Sequence, residues 1–394
     1  MDKRLIWLAV GSFTMSTVGF VFSSLLPSIA ADTHTTIPAA GHLITVFSLS
    51  YAIGAPVLSA LTGAADRRRV LVAAMLVFVS GNALAAMSTS LSALLVAQIV
   101  MGMASGLFAA TAQATAVSLA GPEHRALAIS VVVGGTTFAV ALGAPLGALI
   151  AALWGWRGTF GAISLLALAC TTVLWLRLPR GLTGARLTLR ERFSAIARPG
   201  VAPSLLVTFL YLSGGFMIIS YLAPLAIDGA GLSALSLPAL LLAFGVGAVI
   251  GNLSSGYLAD RIGATRMVVA SLMASVAVSI SIATGLHLLP HHLAGPALIG
   301  VMVPWGIIGW AFPPAQASRI VGYAPDAAHL TLSLNASAIY LGIASGAALG
   351  GRILENMQPA NLGFFAALFP VAALAVLHAG IRSHRRTIAA APAE

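Results

Sequence analysis

Long apolar stretches separated by short polar segments run along almost the whole chain. Each stretch is about 20 residues or longer, the length an α-helix needs to cross a hydrocarbon core of about 30 Å. None of them contains Asp, Glu, Lys or Arg. Strands are a poor interpretation, because barrel strands are about 10 residues long and alternate in polarity. The pattern predicts an all-α membrane protein with twelve transmembrane helices, near residues 5–31, 41–63, 70–90, 94–120, 127–153, 158–176, 203–227, 236–258, 267–287, 294–316, 330–351 and 362–381.

Composition agrees with this pattern and limits the kinds of site that the chain can contain. The 394 residues are 59% hydrophobic and 8% charged, whereas soluble proteins carry about 25% charged residues. The N-terminal "MDKRLIWLAV" resembles the start of a signal peptide, but its apolar run is too long for one and predicts a retained first span. The single cysteine, Cys170, lies inside the sixth stretch, which excludes disulfides and cysteine-rich metal sites.

The basic residues are distributed unequally between the two sides of the predicted membrane. With the N-terminus in the cytoplasm, eighteen basic residues fall inside and only Arg157 and Arg352 fall outside. This asymmetry follows the positive-inside rule and predicts a multi-pass protein of the cytoplasmic (inner) membrane with both termini in the cytoplasm. The net charge of +10 therefore indicates topology and contact with anionic headgroups rather than nucleic-acid binding.

The chain is predicted to be a duplication. A basic segment that begins at Arg177 divides the twelve spans into six and six, and short fragments recur in both halves. "AQA" at 112–114 matches 315–317, and "GPE" at 121–123 matches "APD" at 324–326, both at an offset of 203. The predicted units are an N-terminal six-helix bundle (1–176), a cytoplasmic linker (177–202) and a C-terminal six-helix bundle with a short basic tail (203–394).

Such parallel halves predict a transporter. They place a substrate site near the bilayer midplane, at the interface of the two bundles, and transport proceeds as one half rocks against the other. The chain is expected to work as a monomer in the lipid bilayer.

A charged motif between two apolar stretches identifies a family resemblance. "GYLADRIGATR", Gly256–Arg266, resembles the signature loop G-x-L-A-D-R-x-G-R-K of the major facilitator superfamily, and "TGAADRRR", Thr62–Arg69, is a weaker copy 194 positions earlier, aspartate to aspartate. The fragments "GAPVLSALT" from Gly54, "GAPLG" from Gly143 and "GWRGTF" from Gly155 are similar to the twelve-span drug and sugar efflux branch. The resemblance implies the major facilitator fold.

The resemblance also implies a cytoplasmic gate. In the family, the aspartate of this loop faces the start of a helix in the opposite half, which would be span eleven for Asp66 and span five for Asp260. A carboxylate near a helix N-terminus is stabilised by typically 0.3–1 kcal/mol, so each contact would hold the outward-facing state closed on the inside. The alternative is that these residues only retain a short loop in the cytoplasm, which is our interpretation of the arginines. The predicted gate residues are Asp66, Arg67, Gly256, Asp260 and Arg261.

Span five carries a predicted packing and hinge motif. Gly143 and Gly147 stand four residues apart, which allows another backbone to approach closely. Pro145 between them removes a backbone donor and bends the helix.

Uncharged polar and aromatic side chains within the spans are the candidate cavity residues. Gln113 and Gln316, which the repeat relates, are interpreted instead as hydrogen-bond partners between helices. The predicted cavity set is His42, Tyr51, Gln98, Tyr211, Trp305, Trp310, Asn335 and Tyr340.

Coupling to protons would have to follow an atypical route. Gln98 occupies the position where the family's fourth-span pattern, R-x-x-x-G, has an arginine associated with proton coupling, and no span holds Asp or Glu. His42 has a suitable pKa of about 6.5 and is the titratable candidate, although it also fits a histidine that is hydrogen-bonded near the outer interface.

An uncharged cavity predicts an uncharged substrate. The leading hypothesis is a secondary active transporter that exports a sugar, a nucleoside or a neutral drug, linked to protons. The alternatives are an uncoupled facilitator for the same solutes and, in a different class, a non-transporting membrane sensor or scaffold. An enzyme is not predicted, since the spans lack paired carboxylates, a metal-ligand cluster and a Ser/His/acid set. No cofactor or metal is expected.

Overall fold

The computed structural model describes residues 3–120, 125–183 and 194–389. These residues are almost entirely helical, and no strand occurs among them, so the predicted all-α fold is confirmed. The long helices are α1 (Arg4–Asp32), α2 (Ile37–Leu61), α3 (Arg67–Met87), α4 (Leu91–Ala120), α5 (Arg125–Phe138), α6 (Ala144–Arg177), α7 (Val201–Ile219), α8 (Leu237–Ile262), α9 (Ala264–Leu288), α10 (His291–Tyr323), α11 (Ala328–Leu354) and α12 (Leu362–Ala389).

The predicted fifth and sixth spans are joined into one long helical segment. Within the described residues, eleven helical segments are long and apolar enough to cross a membrane, and the longest covers 128–177. Gly155 interrupts it with φ 74° and ψ 166°, a left-handed backbone conformation that glycine adopts without steric cost. Gly155 therefore separates two crossings, as the apolar pattern predicts for this position.

Helix packing repeats between the two halves. In the first half α2 packs on α4, α1 on α5, and α3 on α6; in the second half α8 packs on α10, α7 on α11, and α9 on α12. These are the same pairs shifted by six helices, as expected when a duplicated sequence folds twice around the same apolar faces.

The connections between helices define two ends of the molecule. At one end, which we call the basic end, Asp66 before α3 accepts from the Gly181 N–H, and the N–H of Arg67, the first residue of α3, donates to the Leu182 carbonyl after α6. At the other end, which we call the opposite end, Asp32 at the end of α1 meets the break in α6. There Trp156 Nε1 donates to Asp32 at 2.9 Å and Arg157 NH1 donates to the same carboxylate at 2.5 Å.

Arg157 extends that cluster to a third helix. Its NH2 group donates to the carbonyl of Ser88 after α3 at 3.0 Å, and its guanidinium lies 4.1 Å from the centre of the Trp156 ring. The cluster ties α1, α3 and α6 together, which gives the "GWRGTF" fragment a structural role.

The apolar core joins the two halves unequally along their length. Toward the opposite end, first-half residues such as Leu26 and Leu43 share one continuous buried core with Tyr221 and Leu240 of the second half. Toward the basic end, second-half residues around Val207 form separate buried clusters. The halves are therefore packed together at the opposite end, and their cores separate toward the basic end.

Candidate substrate-binding site

Two seams of helices hold the halves together. One is α2 against α11, and the other is α8 against α5, α6 and the turn between them. The seams are themselves related by the duplication, because span two pairs with span eleven as span eight pairs with span five.

Aromatic side chains meet at the centre of this interface. Phe20 of α1 contacts Phe216 of α7 and Trp310 of α10, with ring centres 6.1 and 5.8 Å apart. Phe244 of α8 packs edge-on against Trp305 and Trp310, at 5.3 and 5.6 Å. We call these five residues the aromatic cluster. Phe20 and Trp310 remain partly exposed, so the cluster offers uncharged aromatic faces to a ligand.

A tyrosine pair stands in the adjacent seam. Tyr51 of α2 and Tyr340 of α11 stack with ring centres 3.4 Å apart. Near them, the hydroxyl of Ser337 donates to the carbonyl of Ala52 at 3.2 Å. Three of the predicted cavity residues (both tyrosines and Trp310) therefore contact the other half, whereas Trp305 is buried against Phe244 of its own half.

Two other predicted cavity residues lie elsewhere. Tyr211 is packed inside the second half, where its hydroxyl donates to the Ile308 carbonyl at 3.1 Å and its ring stacks on Phe312 at 3.8 Å. His42 is exposed on α2 near the opposite end. Neither side chain contacts the aromatic cluster within the described part of the chain.

Asn335 belongs to a buried network of hydrogen bonds rather than to an open pocket. Its Oδ1 accepts from Thr208 Oγ1 at 2.8 Å. Gln316 Nε2 donates to the Ser204 carbonyl at 2.7 Å, and its Oε1 accepts from Arg319 NH1 at 3.0 Å. These hydrogen bonds connect α11, α7 and α10. Gln316 makes the bonds between helices that the sequence suggests for it.

Gln98 lies fully buried in α4, at 0% exposure. Its side-chain oxygen and nitrogen have no hydrogen-bond partner among the described residues, an arrangement that costs about 1–3 kcal/mol per buried polar group. Because α4 packs on α2 and α3, Gln98 is part of the packing within the first half.

Asp66 caps its own helix in this structure. Its Oδ1 accepts from the Arg69 backbone N–H at 3.2 Å, and its Oδ2 accepts from the Gly181 N–H at 2.5 Å. Burial raises the pKa of this carboxyl, but the backbone N–H groups of Gly181, Arg69 and Arg68 outweigh that effect and hold the pKa below its usual value. The contact with span eleven, which would require the basic end to be closed, stays a prediction.

Replacing Asp66 with alanine is expected to lower the melting temperature by about 2–4 °C, the scale of losing a helix N-cap worth about 1 kcal/mol. Because the folded-state pKa is depressed, the carboxylate contributes its stabilisation above about pH 4 and loses it as the pH falls through the folded-state value. The difference in melting temperature between the wild type and the variant should disappear below pH 4, as measured by thermal unfolding in detergent over a series of pH values. Asp228→Ala, at an exposed aspartate, is the matched control and should show no such gap.

The other predicted gate residues are described in part. Arg67 NH1 donates to the Ala114 carbonyl at 2.7 Å and also to the Ser118 hydroxyl, which binds the start of α3 to the end of α4. The Arg261 guanidinium lies 4.4 Å from the centre of the Tyr257 ring. Gly256 and Asp260 lie in the last turns of α8, and the Asp260 side chain is outside the described residues.

The glycines of span five lie against α1. A Cβ at Gly143 would overlap Thr17, and one at Gly147 would lie 3.3 Å from Thr159 and against Val21. Before Pro145 the helix widens into a π turn, Ala139–Gly143, in which the Ala144 N–H bonds to the Ala139 carbonyl. The extra residue relieves the clash that a proline ring makes with the preceding turn.

That π turn lies on the second seam. A Cβ at Gly245 of α8 would lie 2.9 Å from the Val140 carbonyl oxygen. The motif therefore shapes the contact between the two halves as well as the packing on α1.

Tyr221 is a contact between the halves that sequence reasoning missed. It is 1% exposed, and its hydroxyl donates to the Ala347 carbonyl at 2.8 Å. A Cβ at Gly41 of α2 would lie 2.7 Å from its Cζ atom, and one at Gly350 of α11 would lie 2.8 Å from its Cε2 atom. The ring therefore fills the junction between the halves at the opposite end. In the sequence, the only sign of this contact was a glycine in each of the two helices that face Tyr221.

Comparison with known proteins gives a consistent family assignment. The family model described as Major Facilitator Superfamily matches residues 8–347. The chain is 32% identical over 361 residues to "Uncharacterized MFS-type transporter YbcL" of Bacillus subtilis (92% of this chain, 91% of the relative). It is 30% identical over 364 residues to "Inner membrane transport protein YdhP" of Escherichia coli (92% of this chain, 91% of the relative). The crystal structure of the human organic anion transporter MFSD10 has the same fold, with a TM-score of 0.73 at 17% identity (95% of this chain, 98% of that chain).

Proposed function

We propose, from the premise that the chain belongs to the Major Facilitator Superfamily, that it exports a small neutral solute by alternating access between its two halves. The family assignment makes it a multi-pass membrane transporter and not an enzyme. The solute class we propose is a sugar, a nucleoside or an uncharged drug.

The observation that carries this proposal is the aromatic cluster between the halves. Binding pockets for small molecules are mostly apolar and aromatic, with a few polar groups that orient the ligand. Phe20 and Trp310 offer partly exposed rings, and the Tyr51–Tyr340 pair supplies hydroxyl groups in the seam between α2 and α11. A cation would favour a buried carboxylate, and an anion would favour a guanidinium; the cluster has neither.

The seams support a rocking mechanism. Close contacts such as that of Tyr221 with Gly41 lie at the opposite end, whereas the cores separate toward the basic end. With the basic end in the cytoplasm, as the arginine distribution predicts, this conformation accepts solute from the cytoplasm. Export then requires the opposite-end contacts to part and the basic end to close, with Asp66 and Asp260 at the opposing helix starts.

Linkage of transport to protons is part of the proposal, and uncoupled transport is its specific alternative. Gln98 is buried at the position associated with coupling, and His42 is exposed near the opposite end. A histidine exposed to one side exchanges protons only with that side unless the halves move. An uncoupled facilitator is therefore the alternative within transport, and a sensor that binds without transporting is the alternative in another class.

Proteoliposomes test the substrate class and the coupling together. The purified chain is expected to move neutral probes (a hexose, a nucleoside, an amphenicol) at least ten-fold faster than tetraphenylphosphonium-type cations or organic anions of similar size. With a pH gradient imposed, the neutral probe should accumulate against its own gradient, and collapse of the pH gradient should abolish that accumulation.

The outcomes separate the hypotheses. Equilibration without accumulation identifies a facilitator, and binding that raises the melting temperature without any flux identifies a sensor. Preferential transport of cations or anions would contradict the neutral-solute proposal.

A further inference from the structure

A buried arginine at the basic end has no role in the transport mechanism described above. Arg68, in the first turn of α3, is 9% exposed. Its guanidinium forms no hydrogen bond or ion pair within the described residues. The contact that it does make is with the ring of Trp175 on α6, whose centre lies 4.4 Å from the Arg68 Cζ atom. A ring attracts the charge through its face but leaves the five N–H donors of a guanidinium in need of acceptors.

The terminal nitrogens of Arg68 are accessible from outside the protein. Its Nε atom is completely covered and lacks a hydrogen-bond partner. NH1 and NH2 are not among the covered atoms without a partner, and neither forms a hydrogen bond in the part of the chain that the structure describes. Both therefore reach the surface, and an anion that approaches from there would find two donor groups on a charge that is otherwise buried.

The start of α3 is already capped by an acid of the chain. Asp66 is the N-cap residue; its Oδ1 accepts from the backbone N–H of Arg69, and its Oδ2 accepts from the N–H of Gly181. Both carboxylate oxygens are therefore engaged by backbone groups rather than by the Arg68 guanidinium. An external anion would bind the side chain of Arg68 and not the helix terminus.

Trp175 places this guanidinium at the level of the lipid headgroups. It is 47% exposed and lies near the end of an apolar segment that is long enough to cross a membrane. Tryptophan is enriched at the membrane–water interface because its ring is apolar and its N–H is polar. Leu168, two helical turns deeper on the same face of α6, is also exposed, at 46%. A continuous apolar surface for an acyl chain therefore runs from the arginine toward the membrane interior.

The surroundings of Arg68 carry further positive charge. The start of α3 is hydrogen-bonded to the segment that follows α6, and three arginines of these two segments, Arg69, Arg177 and Arg180, are exposed. Basic residues that lie just beyond a membrane span attract the anionic lipids of the adjoining leaflet. The charge of this surface thus complements an anionic headgroup.

The duplicated motif does not account for Arg68. In the loop G-x-L-A-D-R-x-G-R-K it occupies the variable position after D-R, and the offset of 194 maps it onto Ile262 in the second half. A role of Arg68 is therefore specific to the first half and separate from the predicted gate.

We propose that Arg68 and Trp175 bind the headgroup of one anionic phospholipid from the leaflet at the basic end. NH1 and NH2 of Arg68 donate to oxygens of the lipid phosphate, which a planar guanidinium matches in pairs. An acyl chain of the same lipid lies along the exposed face of α6, past Trp175 and Leu168. The bound phosphate supplies the counter-charge that Arg68 lacks within the described residues and anchors the α3–α6 pair to the bilayer.

Thermal unfolding in nanodiscs tests this site. The melting temperature of the wild type should rise by about 2–4 °C as phosphatidylglycerol replaces phosphatidylcholine at constant ionic strength. A second arm titrates inorganic phosphate against chloride in phosphatidylcholine discs, and it should produce no rise because free phosphate has no acyl chain to bury. A rise with inorganic phosphate alone would contradict the assignment to a lipid.

Variants connect the response to the two side chains. Arg68→Gln and Trp175→Leu should each reduce the shift at least two-fold. Arg68→Leu should abolish the shift, and it should also raise the melting temperature in neutral discs because it removes an unpaired buried charge. Arg382→Gln, which removes an exposed charge elsewhere at the basic end, is the matched control and should retain the full shift. If Arg68→Gln does not fold, the other variants still decide.

Native mass spectrometry supplies a direct measurement of the bound lipid. After release from discs that contain phosphatidylglycerol, the wild type and Arg382→Gln should each retain one more phosphatidylglycerol molecule than Arg68→Leu.

Three results would overturn the proposal. The first is the absence of any response of the wild type to phosphatidylglycerol. The second is a thermal shift or lipid count that Arg68→Leu leaves intact, or that Arg382→Gln reduces equally. The third is a lower melting temperature of Arg68→Leu in neutral discs, because that would show that the protein itself already pairs this charge.

Discussion

Replacing Gly41 with leucine is expected to shift the protein toward the state that is open at the opposite end. The new side chain would collide with the Tyr221 ring, which cannot move aside because it is buried and held by its bond to the Ala347 carbonyl. Overpacking of this kind costs about 1–3 kcal/mol, which corresponds to roughly a 5- to 150-fold change in a two-state equilibrium.

Spin-label distances between Thr36→Cys and Asn356→Cys, in a Cys170→Ser background, measure the shift. Both label positions are exposed at the opposite end, one in each half. The Gly41→Leu variant should populate a longer distance. Gly300→Leu makes the same change on a helix where an added Cβ meets no atom within 4 Å, and it should keep the wild-type distribution. An unchanged distribution in Gly41→Leu would show that this junction does not control closure.

Replacing Trp310 with alanine is expected to weaken solute binding by roughly 30-fold or more, since truncation of a central aromatic anchor costs about 2 kcal/mol or more. Trp310 carries this prediction because it contacts Phe20 across the interface while it remains partly exposed. The measurement is the Kd, by calorimetry, for the best neutral solute found in the transport assay. Transport of that solute should fall in parallel.

Trp154 provides the matched control. It is 71% exposed at the break before Trp156 and lies outside the aromatic cluster. Trp154→Ala should retain the wild-type Kd. Equal losses in the two variants would indicate a general loss of folded protein, and an intact Kd in Trp310→Ala would place the solute elsewhere.

The architecture could be predicted because it depends on local and periodic signals. The apolar stretches match the helices except the seventh, 203–227, whose helix ends at Ile219 and is followed by a short helical turn and a π turn, Leu225–Gly229. The break near Gly155 falls where the pattern predicts a turn. The repeated "AQA" and "GPE/APD" fragments anticipate the repeated helix pairs. The division at 177–202 stays a prediction, and part of that segment lies outside the described residues.

The site could be predicted only in part, because composition does not show which face of a helix a residue occupies. Tyr51, Tyr340 and Trp310 contact the other half, whereas Tyr211 and Trp305, equally aromatic, contact rings of their own half. Arg319 was expected in a cytoplasmic loop, beyond a span ending at 316; α10 instead continues to Tyr323 and buries it. Helix length past the membrane core is set by packing on neighbours, which the chain pattern does not encode.

The gate shows a different limit. Asp66 was expected opposite span eleven, but its partners depend on the conformation, and here they are backbone N–H groups of its own half. Tyr221 is not part of any charged or repeated sequence motif. Its importance arises from two glycines that are distant in sequence and adjacent only after folding.

The widened turn Ala139–Gly143 is not repeated at the related position of the second half: the repeat offset of 203 maps it onto 342–346, inside the regular helix α11, and maps Pro145 onto Ala348. The π turn that the second half does contain, Leu225–Gly229, follows α7 instead. The two seams therefore differ in backbone conformation. During a transport cycle we expect span five to flex about this turn while span eleven moves as a rigid body, so that two halves with the same helix packing contribute unequally to the same movement.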